Sequence, residues 1–437
     1  MTNRSIRSAL APLALGAVLL AGMAKPASAA TLCVNSRGAM GCYATIGAAV
    51  AKASANDTII VAPGTYNEDV IITQALTLKG VNQENTIINA TGLANGIYID
   101  GLDNPGLHDV VVTGFTVENA NFEGILVTSA SSVTLSSNKA IYNDVSLNAA
   151  AAECPGLPAF ETNEGDDCGE GVHLMGVDHS IVANNVVEHN SGGILLSDET
   201  AATHDNLISG NVVKNNPYDC GITLASHAPA GGAAGAPSYG VYHNTITGNE
   251  SAENGLAVEG AGAGVGIFDP GPGTKNYGNV VTYNRLIGNG LPGVAFHSHA
   301  PFQVLQDHLV AGNYISGNHK DTEDAATSGP TGINVFVLNT PPPGGGTGTG
   351  IVITQNVIEN EAIDVAVSTP AGVEVQVHLN NFGPNSIGID NIGLGTVNAT
   401  QNWWGCPLGP GAGGCASVTG SGVLDNSWLA FPFLSAL

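Results

Sequence analysis

Charge is what this 437-residue sequence has least of. Only 11% of its residues are Asp, Glu, Lys or Arg, against roughly a quarter in an ordinary soluble protein. Positive charge is scarcer still: 11 Lys and Arg face 36 Asp and Glu, a formal net charge of −25. So few cations leave no basic surface to neutralise phosphates, which excludes nucleic acid as a partner. An anionic membrane surface is excluded for the same reason. Aromatics make up only 5% of the chain. Past residue 29 no apolar run is long enough to span a bilayer. Hydrophobic residues are not lacking: at 43% they supply a large core, which argues against intrinsic disorder. Glycine is abundant, with 59 residues. The length alone suggests two or three domains, but repeats can make one elongated body of this size.

Residues 1–29 read as a secretory signal peptide. Arg4 and Arg7 form its basic start, the run from Ala9 to Leu20 its apolar centre, and Ala27-Ser28-Ala29 an A-x-A site, so cleavage is expected before Ala30. The apolar run is too short for a membrane anchor. Loss of Arg4, Arg7 and Lys25 leaves eight basic residues against 36 acidic, a mature charge of −28. The expected location is extracellular or periplasmic, with no membrane anchor after cleavage. Export permits disulfides. Six of the seven cysteines fall in close pairs, Cys33 with Cys42, Cys154 with Cys168 and Cys406 with Cys415. Their wide spacing, without matched histidines, favours disulfide staples over zinc. Cys220 is left over and is expected as a buried free thiol.

A repeat organises the rest. N-x-x-x-x-N recurs as Asn138 with Asn143, Asn185 with Asn190, Asn211 with Asn216, Asn249 with Asn254, Asn284 with Asn289, and Asn313 with Asn318. Asn356 opens a seventh copy whose partner, Asn360, comes one residue early. Short β-rich runs precede each pair, and a second strand follows, usually at a Gly: Gly171, Gly193, Gly221, Gly293 and Gly332. Short β-branched strands on a repeating period, separated by Gly and Asn turns, argue for a parallel β-solenoid. Asn tolerates left-handed backbone and can bond to its copies along the axis, so a structural role for these residues outweighs sugar binding. The first Asn positions lie 47, 26, 38, 35, 29 and 43 residues apart. The shortest gap suits a single coil; the longer ones need insertions or extra coils. Insertions are expected at 147–169, 228–238, 250–263, 320–330 and 339–349. Insertions in repeat proteins tend to gather on one face, often the binding face.

Residues 45–90, with Thr45-Ile46-Gly47-Ala48-Ala49-Val50, Asn56-Asp57-Thr58-Ile59-Ile60-Val61-Ala62-Pro63-Gly64-Thr65-Tyr66 and Leu76-Thr77-Leu78-Lys79-Gly80, resemble the N-terminal segment of right-handed parallel β-helix proteins of the pectin lyase-like superfamily. The Asn repeats resemble those of the same group, including the copper-accessory NosD-type proteins. Asn402-Trp403-Trp404-Gly405 is similar to a segment common at the C-terminal end of such chains. The resemblance implies an all-β fold, a right-handed parallel β-helix with a short N-terminal capping helix at residues 45–54. Residues 30–437 form one domain: an N-cap at about 30–56, coils at about 57–400 and a C-terminal cap at about 401–437. Trp403 and Trp404, with Trp428 and Phe431-Pro432-Phe433, are expected to close the last coil. The resemblance says little of activity, since this fold hosts many functions.

Aligning the strands that begin at Gly193, Gly221, Gly264 and Gly293 turns Ile194 and Leu196, Ile222 and Leu224, Val265 and Ile267, and Val294 and Phe296 inward. Just beyond come Asp198 and Glu199, His227, Asp269, and His297 with His299, one titratable column over four coils. His173 lies on the preceding coil, with Glu170, Asp166 and Asp167 close before it. Asp198 and Asp269, two coils apart, would stand roughly 9–10 Å from each other, near the upper range for an inverting glycosidase pair. The histidines would move protons or orient substrate, with His173, Glu170 and Glu199 as substrate contacts. A metal is the competing use: His227, His297, His299 and Asp269 suit Zn or Cu, and Ca²⁺ also fits the acidic composition. The G-H-G and R-x-K motifs of polygalacturonases and the D-P-H motif of mannuronan epimerases are absent. The mature arginines, Arg37 and Arg285, lie outside the column, unlike the Arg base of pectate lyases. The expected function is a secreted polysaccharide-active protein, hydrolase or lyase, whose partner is a polysaccharide or cell-wall glycan. The alternatives are a non-catalytic carbohydrate-binding solenoid and a periplasmic metal-handling accessory.

Overall fold

The structure is a computed structural model that describes residues 29–148, 154–160, 169–228, 237–298, 300–322, 325–338 and 347–433. The expected signal peptide thus falls outside the described residues, apart from Ala29. The chain winds into a right-handed parallel β-helix. Four parallel sheets run along its axis, with 14, 12, 10 and 4 strands among the described residues. Strands of the fourteen- and ten-stranded sheets are mostly three residues long, and only the central one faces the core, as in Thr134–Ser136, Ile181–Ala183 and Leu207–Ser209. A coil therefore cannot bury its own apolar side chains. Stacking Leu135 on Val182 on Ile208, each fully buried, makes one continuous core.

Each N-x-x-x-x-N encloses a strand of its own. Lys139–Ile141 lies between Asn138 and Asn143, and Val186–Glu188 between Asn185 and Asn190. These strands build the ten-stranded sheet, a third face of the coil that the two-strand reading of the repeat omits. The left-handed residue is also not the Asn itself but the one before it. Ser137, Tyr142, Asn184, His189 and Gln355 have φ between 54° and 60°. The Asn then points inward and bonds to the next coil. Asn185 Nδ2 donates to Asn211 Oδ1 and to Leu135 O, both at 3.0 Å, while its backbone N–H reaches the same Oδ1 at 2.9 Å.

The ladder that starts at Asn138 runs unbroken through Asn356 to Asn380 and Asn402. Every irregular gap, from 26 to 47 residues, is hence a single coil, and the added length lies wholly in loops. In the second ladder Asn318 bonds to Glu361, which accepts from both its N and its Nδ2. Glu361, not Asn360, keeps the spacing, and Asn360 is the left-handed residue before it. A third ladder runs from Ser180 through Asn206 and Asn244 to Asn279.

The capping helix is shorter than expected, Ile46–Val50. Thr45 Oγ1 accepts from Ala48 N, and the Glu68 carboxylate accepts from Ile46 N and Gly47 N at 2.8 Å each, satisfying N–H groups left open at a helix start. At the other end Trp404 is fully buried against Phe382, with ring centroids 5.1 Å apart. Cys33–Cys42 and Cys406–Cys415 are disulfides. Cys154 is disulfide-bonded, while Cys168 lies outside the described residues. Cys220 is free and buried. Phe431 does not join the cap, being 79% exposed; Trp428 does reach it, its Nε1 donating to Pro407 O at 3.3 Å, and the tail is tied back by paired bonds between Asn381 and Phe433.

The insertions all border strands of the twelve-stranded sheet. Segment 147–169 precedes Glu170–Met175, 228–238 follows Ile222–Ala225, and 320–330 and 339–349 flank Thr331–Val337. The expected insertion at 250–263 is shorter than that, because Glu250–Ala252 is a strand and Asn254 a rung.

Candidate active site

The strand-opening glycines have a packing cause. A Cβ on Gly221 would collide with Ser251 Oγ, and one on Gly193 with the carbonyl of Gly221. Beyond them the four strands pair in the expected register, Ile194 with Ile222, Val265 and Val294. Alternation sets the two faces. Ile194, Leu196, Ile222, Leu224, Val265, Ile267, Val294 and Phe296 are fully buried in the core. Leu195, Thr223, Gly266 and Ala295 form the outer face.

The same alternation corrects the expected column. Asp198 and Asp269 stand two coils apart, but they continue the inward positions of Leu196 and Ile267 and have no exposed surface. They lie in the interior corner, not in a groove. Asp198 is held by Ser226 Oγ at 3.1 Å, His227 N at 2.6 Å and Gly240 N. Burial pushes its pKa up to about 6, against the pull of those backbone bonds. Neither carboxylate oxygen of Asp269 has a hydrogen-bond partner among the described residues. Burial first, then the nearby Asp198 charge, push its pKa well up. His227 Nδ1 lies 3.2 Å from Glu199 Oε1, both side chains buried. Asp198, Glu199, His227 and Asp269 thus do come together, as a buried network.

His173 and Glu170 belong to a second cluster on the outer face. His173 Nδ1 is 2.9 Å from Glu123 Oε1, and its Nε2 is 2.7 Å from Ser197 Oγ. Glu170 Oε2 lies 3.7 Å from the same Nδ1. Nearby, the ring of Phe160 stacks on Tyr98 at 6.4 Å, and Phe122 packs with Cys154 and Leu157. Glu123 went unrecognised in the sequence, although Glu123-Gly124 and Glu170-Gly171 mark the same place on successive coils.

His297 takes the outward position, in register with Phe268. Its Nε2 lies 3.2 Å from Oδ2 of buried Asp321, and Asn334 Nδ2 donates to that oxygen. His297 is at the floor of a cleft of about 190 Å³. Thr223, Gly266 and Ala295 continue the floor; Asp219, Cys220 and residues 258–263 form the wall. The small floor side chains are what leave room for a ligand. Asp219 Oδ2 accepts from Thr223 Oγ1 at 3.3 Å, and burial, with the Asp219 charge, raises the Cys220 thiol pKa well above its ordinary value. Asp219 and Asp321 were not singled out from the sequence; Asp321 falls in an insertion that was.

His299, Asp166 and Asp167 lie outside the described residues. Of the expected metal set, His299 lies outside the described residues, Asp269 faces the core near His227, His227 pairs with Glu199 and His297 with Asp321. Among the described residues, the groups whose ligand atoms converge are Glu123, Glu170 and His173, and His179, His204 and Asp205.

A parallel solenoid with a cleft on its loop-bearing sheet is the class that fold and site define. Residues 76–267 match the family model described as "Right handed beta helix region", in keeping with the parallel β-helix of the structure. No curated protein sequence matches the chain. Among solved structures it is similar to the DFA-IIIase of Arthrobacter chlorophenolicus A6 without its lid, at 13% identity and TM-score 0.48 over 79% of this chain and 84% of that one. The alginate lyase of Paenibacillus sp. str. FPU-7 matches at 13% identity and TM-score 0.37, over 90% and 99%. The GH136 lacto-N-biosidase of Eubacterium ramulus matches at 10% identity and TM-score 0.48, over 84% and 65%.

Proposed function

We propose that this protein is a secreted, polysaccharide-active protein whose substrate lies along the outer face of the twelve-stranded sheet, with the reacting bond over His297. One observation carries the reading: a histidine backed by a buried carboxylate forms the floor of an open cleft on the face where the insertions gather. An imidazole so held is oriented for proton transfer. Asp219 on the wall supplies a carboxyl for a second proton or a sugar hydroxyl. This supports hydrolysis or eliminative cleavage with His297, rather than Asp198 or Asp269, as the proton-transfer group. His173 lies four strands away in the same sheet, roughly 19 Å at ordinary strand spacing, so His173 and Glu170 would border a distant part of the chain-binding face. A formal charge of −25 favours a neutral or weakly charged glycan, since an acidic polymer would be repelled.

The test is to incubate the purified mature protein with a panel of neutral and acidic polysaccharides, with and without Ca²⁺, and to follow reducing ends and absorbance of unsaturated products. Reducing ends alone mean hydrolysis; unsaturated ends mean elimination. Binding without turnover across the panel would replace the enzyme with a carbohydrate-binding solenoid. His297→Ala must lower any turnover found by about 10²- to 10⁴-fold.

A further inference from the structure

A second constellation lies away from the cleft, on the corner where the four-stranded sheet runs. At that corner successive coils present Asp178-His179, His204-Asp205, Tyr242-His243 and Tyr277-Gly278. The second residue of each pair is left-handed, with φ between 50° and 65° for His179, Asp205, His243 and Gly278. Immediately behind them stand the rungs Ser180, Asn206, Asn244 and Asn279 of the third ladder. The ladder fixes the spacing of the outward side chains, and the left-handed turn aims them into solvent.

We propose that this corner is a divalent transition-metal site, with His179, His204 and Asp205 as ligands and His243 beside them. The ligand atoms of His179, His204 and Asp205 lie within 4.8 Å of one another. His243 Nδ1 is 4.0 Å from Asp205 Oδ1. Two imidazoles and a carboxylate suit Zn²⁺ or Cu²⁺ rather than Ca²⁺ or Mg²⁺, which take oxygen ligands. The surroundings also fit. His179 Nδ1 is paired with Asp178 Oδ1 at 2.6 Å, the kind of contact by which a carboxylate orients a metal-binding imidazole, and His204 Nδ1 is paired with Asp205 Oδ2 at 2.8 Å, a contact that a bound ion would replace or bridge. The His204 ring is held from the other side by Tyr242, with centroids 4.8 Å apart and planes 4° from parallel. His179 and His243 are more than half exposed, with Asp205 at 43%, so an ion reaches the site without opening the fold.

Equilibrium dialysis of the mature protein, purified without a polyhistidine tag, against Zn²⁺ alone and Cu²⁺ alone tests the site. One ion per chain is expected, with thermal unfolding shifted upward by the bound ion. His204→Ala should remove the ion. Asp178→Asn should weaken binding about 10- to 100-fold. His179→Ala, at a more exposed position, provides a second ligand deletion, and each variant's unfolding without metal is expected to match the parent. Absence of stoichiometric binding for both ions overturns the proposal. Binding that survives both His179→Ala and His204→Ala overturns it equally. Since the site is remote from His297, loss of metal should leave any glycan binding at the cleft unchanged.

Discussion

The two sides of each coil obey different rules. On the side made by the fourteen- and ten-stranded sheets, corners repeat with a left-handed residue followed by an Asn rung, and the five-residue spacing persists down to Asn313–Asn318 and Asn356–Glu361. On the side of the twelve-stranded sheet, loops of unequal length open and close each strand, and the titratable groups collect there. The regular side binds coil to coil through side-chain amides that water cannot reach. The irregular side has its coils held for it, and so can vary its loops and carry buried ionisable groups. A division of this kind lets a solenoid change its site without rebuilding its core.

The comparison breaks most visibly at a rung. Asn249 accepts from Asn211 N and Nδ2 at 2.9 Å and donates to Ile208 O and Asn284 Oδ1. Asn249→Ala strands several buried polar groups, each worth about 1–3 kcal/mol, so a loss of about 3–6 kcal/mol is expected in denaturant unfolding. A loss below 1 kcal/mol would mean the ladder is an ornament of the fold rather than its support.

His297→Ala should act in the opposite way. Any turnover on the responding glycan should fall about 10²- to 10⁴-fold, while the melting loss stays smaller than that of Asn249→Ala. A melting loss like that of Asn249→Ala would place His297 with the structural residues.

Glu361 sharpens the contrast, because it is a rung that titrates. Burial, partly offset by the Asn318 bonds, pushes its pKa from 4.5 up to about 7. Its contribution is therefore fully present below pH 4.5 and lost as pH rises through about 7. Glu361→Gln keeps the acceptor oxygen without the charge. It should be more stable than the parent above neutral pH, by at most about 3 kcal/mol, and the gap should close by pH 5. Melting curves across pH 5–8 give the comparison directly; a constant difference would show that Glu361 does not titrate there.

The smallest effect is expected at Asp269. Its carboxyl is buried without hydrogen bonds among the described residues and favours its protonated form. Asp269→Asn should leave turnover unchanged and stability equal or greater at neutral pH. Loss of turnover with an unchanged melting temperature would return Asp269 to the chemistry and displace His297.

Much of the scaffold is legible in the amino-acid sequence. The inward set Ile194, Leu196, Ile222, Leu224, Val265, Ile267, Val294 and Phe296 followed from alternation, and the buried free Cys220 from its lack of a near partner. The site was less legible, for a specific reason. Alternation continues past Leu196 and Ile267, to the strand's last residue at Asp269 and one residue beyond the strand at Asp198, and it turns both inward, away from the substrate column that the sequence suggests. The real neighbours of the outward residues come from loops. Asp321 reaches His297, and Glu123 reaches His173 across 50 residues of chain.

The amino-acid sequence by itself determined the solenoid, because a period of short apolar strands admits one way to share a core, and stacked Asn side chains admit one register. It also determined the acidic surface and the loops crowded against one sheet. Which carboxylate meets which histidine was decided only by tertiary structure. Those pairs form between loops and strands on different coils, where separation along the chain varies with every insertion and only the stacking of the coils sets the distance.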